Sequence, residues 1–135
     1  MEGIVYKSTG SWYILKDTSG KIWNARIKGK LKMDGTISST NPIAVGDYVS
    51  FDIEDEVVSN AIIQNVKERQ NYIVRVSPHN KNQKHIIASN IDLALVVATL
   101  ASPRTSTGFV DRFLITAAAY HIDAIIVINK ADLIK

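Results

Sequence analysis

Three polar residues, Asn129, Lys130 and Asp132, follow directly after the apolar run AIIVI and form the pattern N-K-x-D. These residue types supply the groups that guanine recognition requires. Guanine presents two donors on one edge, the ring N1–H and the exocyclic amino group, and one carboxylate accepts both. Adenine lacks that pair of donors. A carboxylate at this position would therefore discriminate between the purines.

Each residue of this guanine motif (Asn129, Lys130 and Asp132) has an expected role. Asp132 would accept the two base donors, and the Asn129 amide would bond the other base edge and tie neighbouring loops together. The methylene stem of Lys130 would lie along the base plane while its ammonium stays in water. A plainer alternative is a polar turn in which Asn129 and Asp132 satisfy backbone groups.

The elements around the motif predict a strand–helix–strand unit. IDLALVVATL, from Ile91, is a nearly continuous apolar run typical of a strand that is covered on both faces of a parallel sheet. FVDRFLITAAAYH places apolar residues on one helical face, with Ser106 or Thr107 as the cap. DAIIVINK is the second strand. Ligands of such sheets bind beyond the carboxyl ends of the strands, where the guanine motif lies.

The parts of a GTP site that handle phosphate are not found in this sequence. It contains no G-x-x-x-x-G-K-[ST] loop, and no D-x-x-G follows the guanine motif. We therefore expect no GTP hydrolysis by this chain alone, assign no catalytic residue and expect no cofactor within it.

Residues 2–70 alternate with the period of two that half-buried strands show, and turn residues separate the runs. About five short antiparallel strands predict a small closed barrel, of which the OB-fold is the expected type and the SH3-like barrel the rival. Trp23 falls on the apolar face and is assigned to the core. Of the neighbours Trp12 and Tyr13, only one can point inward. Residues 71–90 have little periodicity and are interpreted as a linker.

The strand KIWNARIKGKLK carries basic residues on the face opposite its apolar one. Successive members stand about 6.6 Å apart, close to the phosphate spacing of a nucleic-acid strand. This basic stripe is our predicted RNA contact, and it consists of Lys21, Arg26, Lys28, Lys30 and Lys32. The alternative is a solvated strand face whose lysines protect a sheet edge.

Composition limits the class of protein. The excess of three positive charges lies in residues 1–90, because residues 91–135 hold four basic and four acidic residues. The absence of cysteine excludes disulfides and thiolate metal sites in this chain, and we expect no metal site. The N-terminus lacks the apolar segment of a secretory signal, and no run approaches the ~20 apolar residues of a membrane span. A cytoplasmic protein is expected.

The order of these features resembles the circularly permuted GTPases of the RsgA (YjeQ) family, in which N-K-x-D precedes the phosphate loop and follows a small barrel. The resemblance covers nearly the whole chain. It is carried by GKLK, NPIAVGDYV, RQNYIVR, IIASNIDLALVVATL, FVDRFLITAA and VINKADLI, in that order.

The resemblance implies an OB domain that binds ribosomal RNA, a permuted GTPase domain and a C-terminal zinc-binding domain. GTP, magnesium and a structural zinc are implied for the longer family members, and the small ribosomal subunit is the implied partner. The expected divisions are residues 1–70 for the OB domain, 71–90 for the linker and 91–135 for the start of the GTPase domain. The chain is then the N-terminal part of a GTPase that assists maturation of the small subunit.

Two other functions remain open at this stage. The chain could be a stand-alone OB-type RNA-binding module without a nucleotide role, or a purely structural partner-binding domain. Two strands of the buried type, without further sheet around them, would expose apolar faces. Residues 91–135 are therefore expected either to pack against another copy of the chain or to be poorly ordered.

Overall fold

The structure is a computed structural model that describes residues 1–33, 42–76 and 84–133, without the side chains of residues 30–33, 76 and 84. These residues form two compact units, Met1–Asn90 and Ile91–Lys135. The elements of the first unit are β1 Glu2–Ser8, β2 Tyr13–Asp17, β3 Ile22–Met33, β4 Tyr48–Asp55, β5 Asn60–Val66, β6 Tyr72–Val76 and β7 Lys84–Ser89. Those of the second are β8 Ala94–Thr99, α1 Thr107–Ala119, β9 Ala124–Asn129 and a 3₁₀ turn, Ala131–Leu133.

Strands β1 to β5 form a closed barrel in the order β1-β2-β3-β5-β4, with β4 returning to β1. All neighbouring strands are antiparallel except β3 and β5, which run parallel. The predicted five-stranded, OB-like barrel is confirmed. Closure leaves none of the five strands with an unpaired edge.

Alternation along the strands fills the barrel interior. The centre holds Trp23 and Phe51, whose ring centroids are 5.9 Å apart, and Trp23 is only 1% exposed. The assignment of Trp23 to the core is confirmed, and of the neighbouring pair Tyr13 points inward while Trp12 is half exposed. The fully buried cluster consists of Val5, Tyr13, Leu15, Trp23, Ala25, Ile43, Val49, Phe51, Ala61, Ile63 and Val66.

The expected linker, residues 71–90, contains an antiparallel pair of strands, β6 and β7. Residues 77–83, between these two strands, lie outside the described part. The segment ends against the barrel. The Ser89 hydroxyl and the Arg69 guanidinium both donate to the buried Asp47 carboxylate, with the Arg69 contacts at 2.7 Å. Asn90 donates to the Gly46 carbonyl at 3.0 Å. These two strands pair with each other, and the polar residues between them interrupt the alternation in the sequence that would have indicated them.

In the second unit, β8 and β9 pair in parallel and α1 connects them, so the predicted strand–helix–strand is confirmed. Ser106 caps α1 by accepting a hydrogen bond from the Phe109 backbone N–H at 3.1 Å. α1 packs on one face of the two strands and buries alternate residues of β8: Ala94, Val96 and Ala98.

The strands of this unit are not covered on both faces by the described residues, contrary to the expectation for their apolar runs. On the face that α1 does not cover, Leu95 pairs with Ile125 and Val97 pairs with Val127. All four side chains are between 39% and 60% exposed. Among the described residues, no helix has the length and apolar character that crossing a membrane requires.

Candidate functional site

The guanine motif lies at the carboxyl edge of the β8–β9 sheet. Asn129 is the last residue of β9, and its register partner is Thr99, the last residue of β8. Lys130 follows with φ near +55°, which turns the chain, and Asp132 lies in the 3₁₀ turn closed by the Leu133 N–H donating to the Lys130 carbonyl. The alternation of the apolar strand and the polar turn thus brings the three side chains to one edge.

The motif residues differ in their partners. The Lys130 ammonium donates to the Ser102 backbone carbonyl in the loop of residues 100–106, which joins β8 to α1. Within the described part of the chain, neither the Asn129 amide nor the Asp132 carboxylate makes a hydrogen bond, and both residues are exposed. This arrangement disfavours the plain strand-end turn, in which those two side chains would satisfy backbone groups. Both are available to a ligand.

A groove of about 170 Å³ lies between α1 and the strands, near the same edge. Its lining is mainly apolar, and its polar members are Thr99, Thr105, Thr107 and Asp111. The guanine motif lies outside this lining. We therefore take the exposed turn after β9, rather than the groove, as the candidate base site.

The structure describes the side chains of three members of the predicted basic stripe, Lys21, Arg26 and Lys28. Lys21 precedes β3, and its ammonium lies 4.1 Å from the ring centroid of the buried Trp23. Arg26 and Lys28 lie on the outer side of the strand, but Gly29 has φ +71° and the pairing with β5 shifts between Ile27 and Lys32. The side chains of Lys30 and Lys32 lie outside the described part.

A carboxylate from β4, that of Glu54, contacts the stripe. Arg26 forms an ion pair with Glu54 through two of its nitrogens. The hydrogen bond from Arg26 is the main reason that the pKa of Glu54 lies below its ordinary value, and the charge of Lys28 lowers it further. The sequence did not indicate this pairing, because Arg26 and Glu54 are 28 positions apart. The surface around Arg26 therefore carries both positive and negative charges, and the Arg26 guanidinium is already paired with Glu54.

Exposed aromatic residues lie on the β1–β2 side of the barrel. Tyr6 and Trp12 are 55% and 50% exposed, and the Lys16 ammonium lies 5.6 Å from the Tyr6 ring centroid. An aromatic ring beside a cation offers stacking and charge to a nucleic acid. The sequence pattern indicated the Trp12–Tyr13 pair but not the exposure of Tyr6. Its alternation with the buried Val5 was the available signal.

The described residues contain no ligand set for the magnesium or zinc that the resemblance implies. No group of three or more His, Asp or Glu side chains there is arranged to hold a metal ion. We assign no metal-dependent step to these residues.

Two protein families match the sequence of this chain. The profile described as the RsgA N-terminal domain matches residues 2–61, and that described as the RsgA GTPase matches residues 66–135. The chain belongs to the RsgA family. The first match covers all but the last strand of the barrel, and the second includes the guanine motif.

Curated relatives in this family carry the name small ribosomal subunit biogenesis GTPase RsgA. The relative from Christiangramia forsetii is 54% identical over 133 residues, covering 98% of this chain and 42% of the relative. The relative from Flavobacterium psychrophilum is 53% identical, with 98% and 40% covered. This chain therefore spans about two fifths of the length of these RsgA proteins.

Two solved structures have the same fold. YloQ, described as a circularly permuted GTPase, is 30% identical with a TM-score of 0.67. YjeQ from Thermotoga maritima is 28% identical with a TM-score of 0.68. Each similarity covers 99% of this chain and 42% of the solved one. The fold assignment drawn from the RsgA resemblance is thereby confirmed.

Proposed function

We propose that this chain supplies the N-terminal part of a cytoplasmic GTPase that assists late maturation of the small ribosomal subunit. The carrying observation is the guanine motif at the carboxyl edge of β8 and β9, with the Asn129 amide and the Asp132 carboxylate exposed and without partners among the described residues. The names of the relatives support the same role. Phosphate and magnesium chemistry would belong to other parts of the GTPase.

In this function, Asp132 accepts from the guanine N1–H and exocyclic amino group, and Asn129 bonds the opposite base edge. Lys130 presents its stem to the base plane. A carboxylate without a competing donor is suited to base recognition, because binding the base then breaks no internal hydrogen bond. The nucleotide partner is GTP or GDP.

The barrel is proposed to bind ribosomal RNA of the small subunit. Its outer surface combines cations of the basic stripe with exposed rings, a combination that suits an RNA strand. Lys28 is an exposed member of the stripe, and its charge acts on Glu54 of the Arg26–Glu54 pair. Tyr6 and Trp12 extend the proposed contact surface to the β1–β2 side.

Replacement of Asp132 by asparagine in the full-length protein tests the nucleotide role. We expect GDP to bind about 10- to 100-fold more weakly, because two hydrogen bonds to a charged acceptor are lost. Xanthosine diphosphate should bind more tightly than before, since its C2 oxygen accepts from the new amide. Isothermal titration with both nucleotides measures the change. An unchanged base preference would reject guanine selection and leave an RNA-binding module.

A further inference from the structure

The loop of residues 100–106 turns back onto the end of the strand that precedes it. The Thr105 N–H donates to the Thr99 carbonyl at 2.8 Å, and the Thr99 N–H donates to the Thr105 hydroxyl oxygen at 2.9 Å. The Thr99 hydroxyl also donates to the Pro103 carbonyl. Reciprocal bonds between Thr99 and Thr105 therefore close the loop at its base.

The same loop carries the partner of the motif lysine. The Ser102 carbonyl accepts a hydrogen bond from the Lys130 ammonium at 2.5 Å, and Ser102 itself has φ +55°. Thr99 and Asn129 are register partners on the two adjacent strands. The closed loop and the guanine motif thus meet at one sheet edge, joined by Lys130.

We propose that Thr105 is a positioning residue for guanine recognition, acting through the Ser102 carbonyl on Lys130. This inference rests on the proposed function. The Thr105 hydroxyl holds the loop closed, the closed loop presents the carbonyl, and the carbonyl orients the lysine stem along the plane where the purine stacks. The ligand class is the guanine base itself, and the phosphates are not involved.

The physical basis is preorganisation. A lysine side chain has several rotatable bonds, and ordering it when a ligand binds reduces the affinity. Lys130 already has an uncommon backbone conformation, with φ near +55°. A carbonyl that accepts its ammonium before the base arrives removes part of the ordering cost from the binding step. If the loop were open, the Lys130 side chain would have to be ordered when the base binds, and the affinity would be lower.

The test compares Thr105→Val, which removes the hydroxyl at nearly constant shape, with Thr105→Ser, which keeps it. Thr107→Val is the matched control, because Thr107 lines the same groove but has no bond to Thr99 among the described contacts. In the full-length protein, we expect the Kd for GDP to rise about three- to ten-fold in Thr105→Val. Thr105→Ser and Thr107→Val should remain within about two-fold of the wild type.

A competition assay with pyrophosphate separates positioning from general damage. The Kd for pyrophosphate should be unchanged in Thr105→Val, because that ligand has no base. Equal weakening of GDP and pyrophosphate would overturn the positioning role, as would an unchanged GDP affinity or a Thr105→Ser protein that behaves like Thr105→Val.

Asp132→Asn, measured in parallel, distinguishes the two levels of the proposal. If Asp132→Asn switches base preference while Thr105→Val binds GDP normally, only the assignment of Thr105 fails. If Asp132→Asn leaves base preference unchanged, the guanine role itself fails.

Discussion

Three aspartates show how residue chemistry depends on the partners that folding provides. Asp17 is buried at the end of β2 and accepts from the Ser19 hydroxyl at 2.6 Å and the Trp23 indole at 2.9 Å. Asp47 is fully buried and receives two bonds from Arg69. Asp132 is exposed, with no such donor in the described part of the chain. The first two stabilise structure, and only the third is available for recognition.

The Asp17 contacts predict an acid dependence of stability. Bonds from Ser19 and then Trp23 lower the pKa of Asp17 to about 2, whereas an unfolded aspartate titrates near 3.9. The lowered pKa means that the stabilisation is present above about pH 4 and is lost as the pH falls toward 2. In Asp17→Asn, this part of the acid dependence should disappear.

Urea denaturation followed by tryptophan fluorescence between pH 6 and pH 2 measures this effect. The difference in urea midpoint between wild type and Asp17→Asn should narrow as the pH falls. A difference that stays constant down to pH 2 would contradict the assignment.

The Arg26–Glu54 pair predicts a gain of RNA binding on removal of an acid. In Glu54→Gln, Arg26 loses its ion-pair partner and becomes available to phosphate. Affinity for a single-stranded RNA should rise, and the slope of log K against log salt should steepen by about 0.7 for one added phosphate contact. Fluorescence anisotropy at several salt concentrations measures both. In Lys28→Gln, the RNA affinity should fall and the salt slope should become shallower. An RNA affinity that depends neither on these charges nor on salt would contradict the role of the stripe in RNA binding.

At the scale of elements, the connection from β7 to the barrel depends on backbone proximity. Gly46 has φ +95° and its N–H donates to the Val5 carbonyl at 2.9 Å. A Cβ placed on Gly46 would lie 2.0 Å from the Ser89 carbonyl oxygen. Only glycine permits this approach, so the loop before β4 and the end of β7 form one packed joint with Asp47 and Arg69.

Two glycine substitutions separate conformational strain from steric contact at this joint. Gly10 has φ +89°, much like Gly46, but a Cβ there would meet no atom within 4 Å. Gly10→Ala should therefore cost only the left-handed penalty, about 1–2 kcal/mol of unfolding free energy. Gly46→Ala should cost more, because the Ser89 carbonyl must also move. Urea denaturation gives both values, and equal losses would contradict the close packing of Gly46 on Ser89.

At the scale of the whole molecule, the two units differ in how completely they cover their apolar residues. The barrel encloses its core, whereas the sheet of the second unit leaves Leu95, Val97, Ile125 and Val127 partly exposed in the described chain. A contiguous apolar face of this kind favours association. The RsgA proteins named above are longer than this chain, which spans about two fifths of their length.

We expect the 135-residue chain to self-associate through this face. In Val97→Lys, a charge replaces a side chain that is 60% exposed at the centre of the face, and the sedimentation coefficient should lose its concentration dependence. Val57→Lys is the control, since Val57 is 94% exposed in a turn of the first unit. Analytical ultracentrifugation would contradict the expectation by finding the wild-type chain monomeric at all concentrations.

Features that depend on near neighbours along the chain were predictable from the amino-acid sequence. The period-two alternation predicted the barrel strands and placed Trp23 in the core, and the helical spacing with Ser106 predicted α1. The guanine motif was found from residue types that directly follow an apolar strand. These patterns are readable because their physical causes, backbone geometry and side-chain periodicity, act within a few residues.

Tertiary structure alone decided which groups meet across long separations. Glu54 engages Arg26, Asp47 receives Arg69 and Ser89, and Lys130 reaches Ser102, each through a register or loop path that no local pattern encodes. The register shift between β3 and β5, which lies between Ile27 and Lys32, has the same origin. Folding thereby gave Asp17 and Asp47 internal donors, because packing brings donors to a buried acid, whereas the exposed Asp132 has none in the described part of the chain.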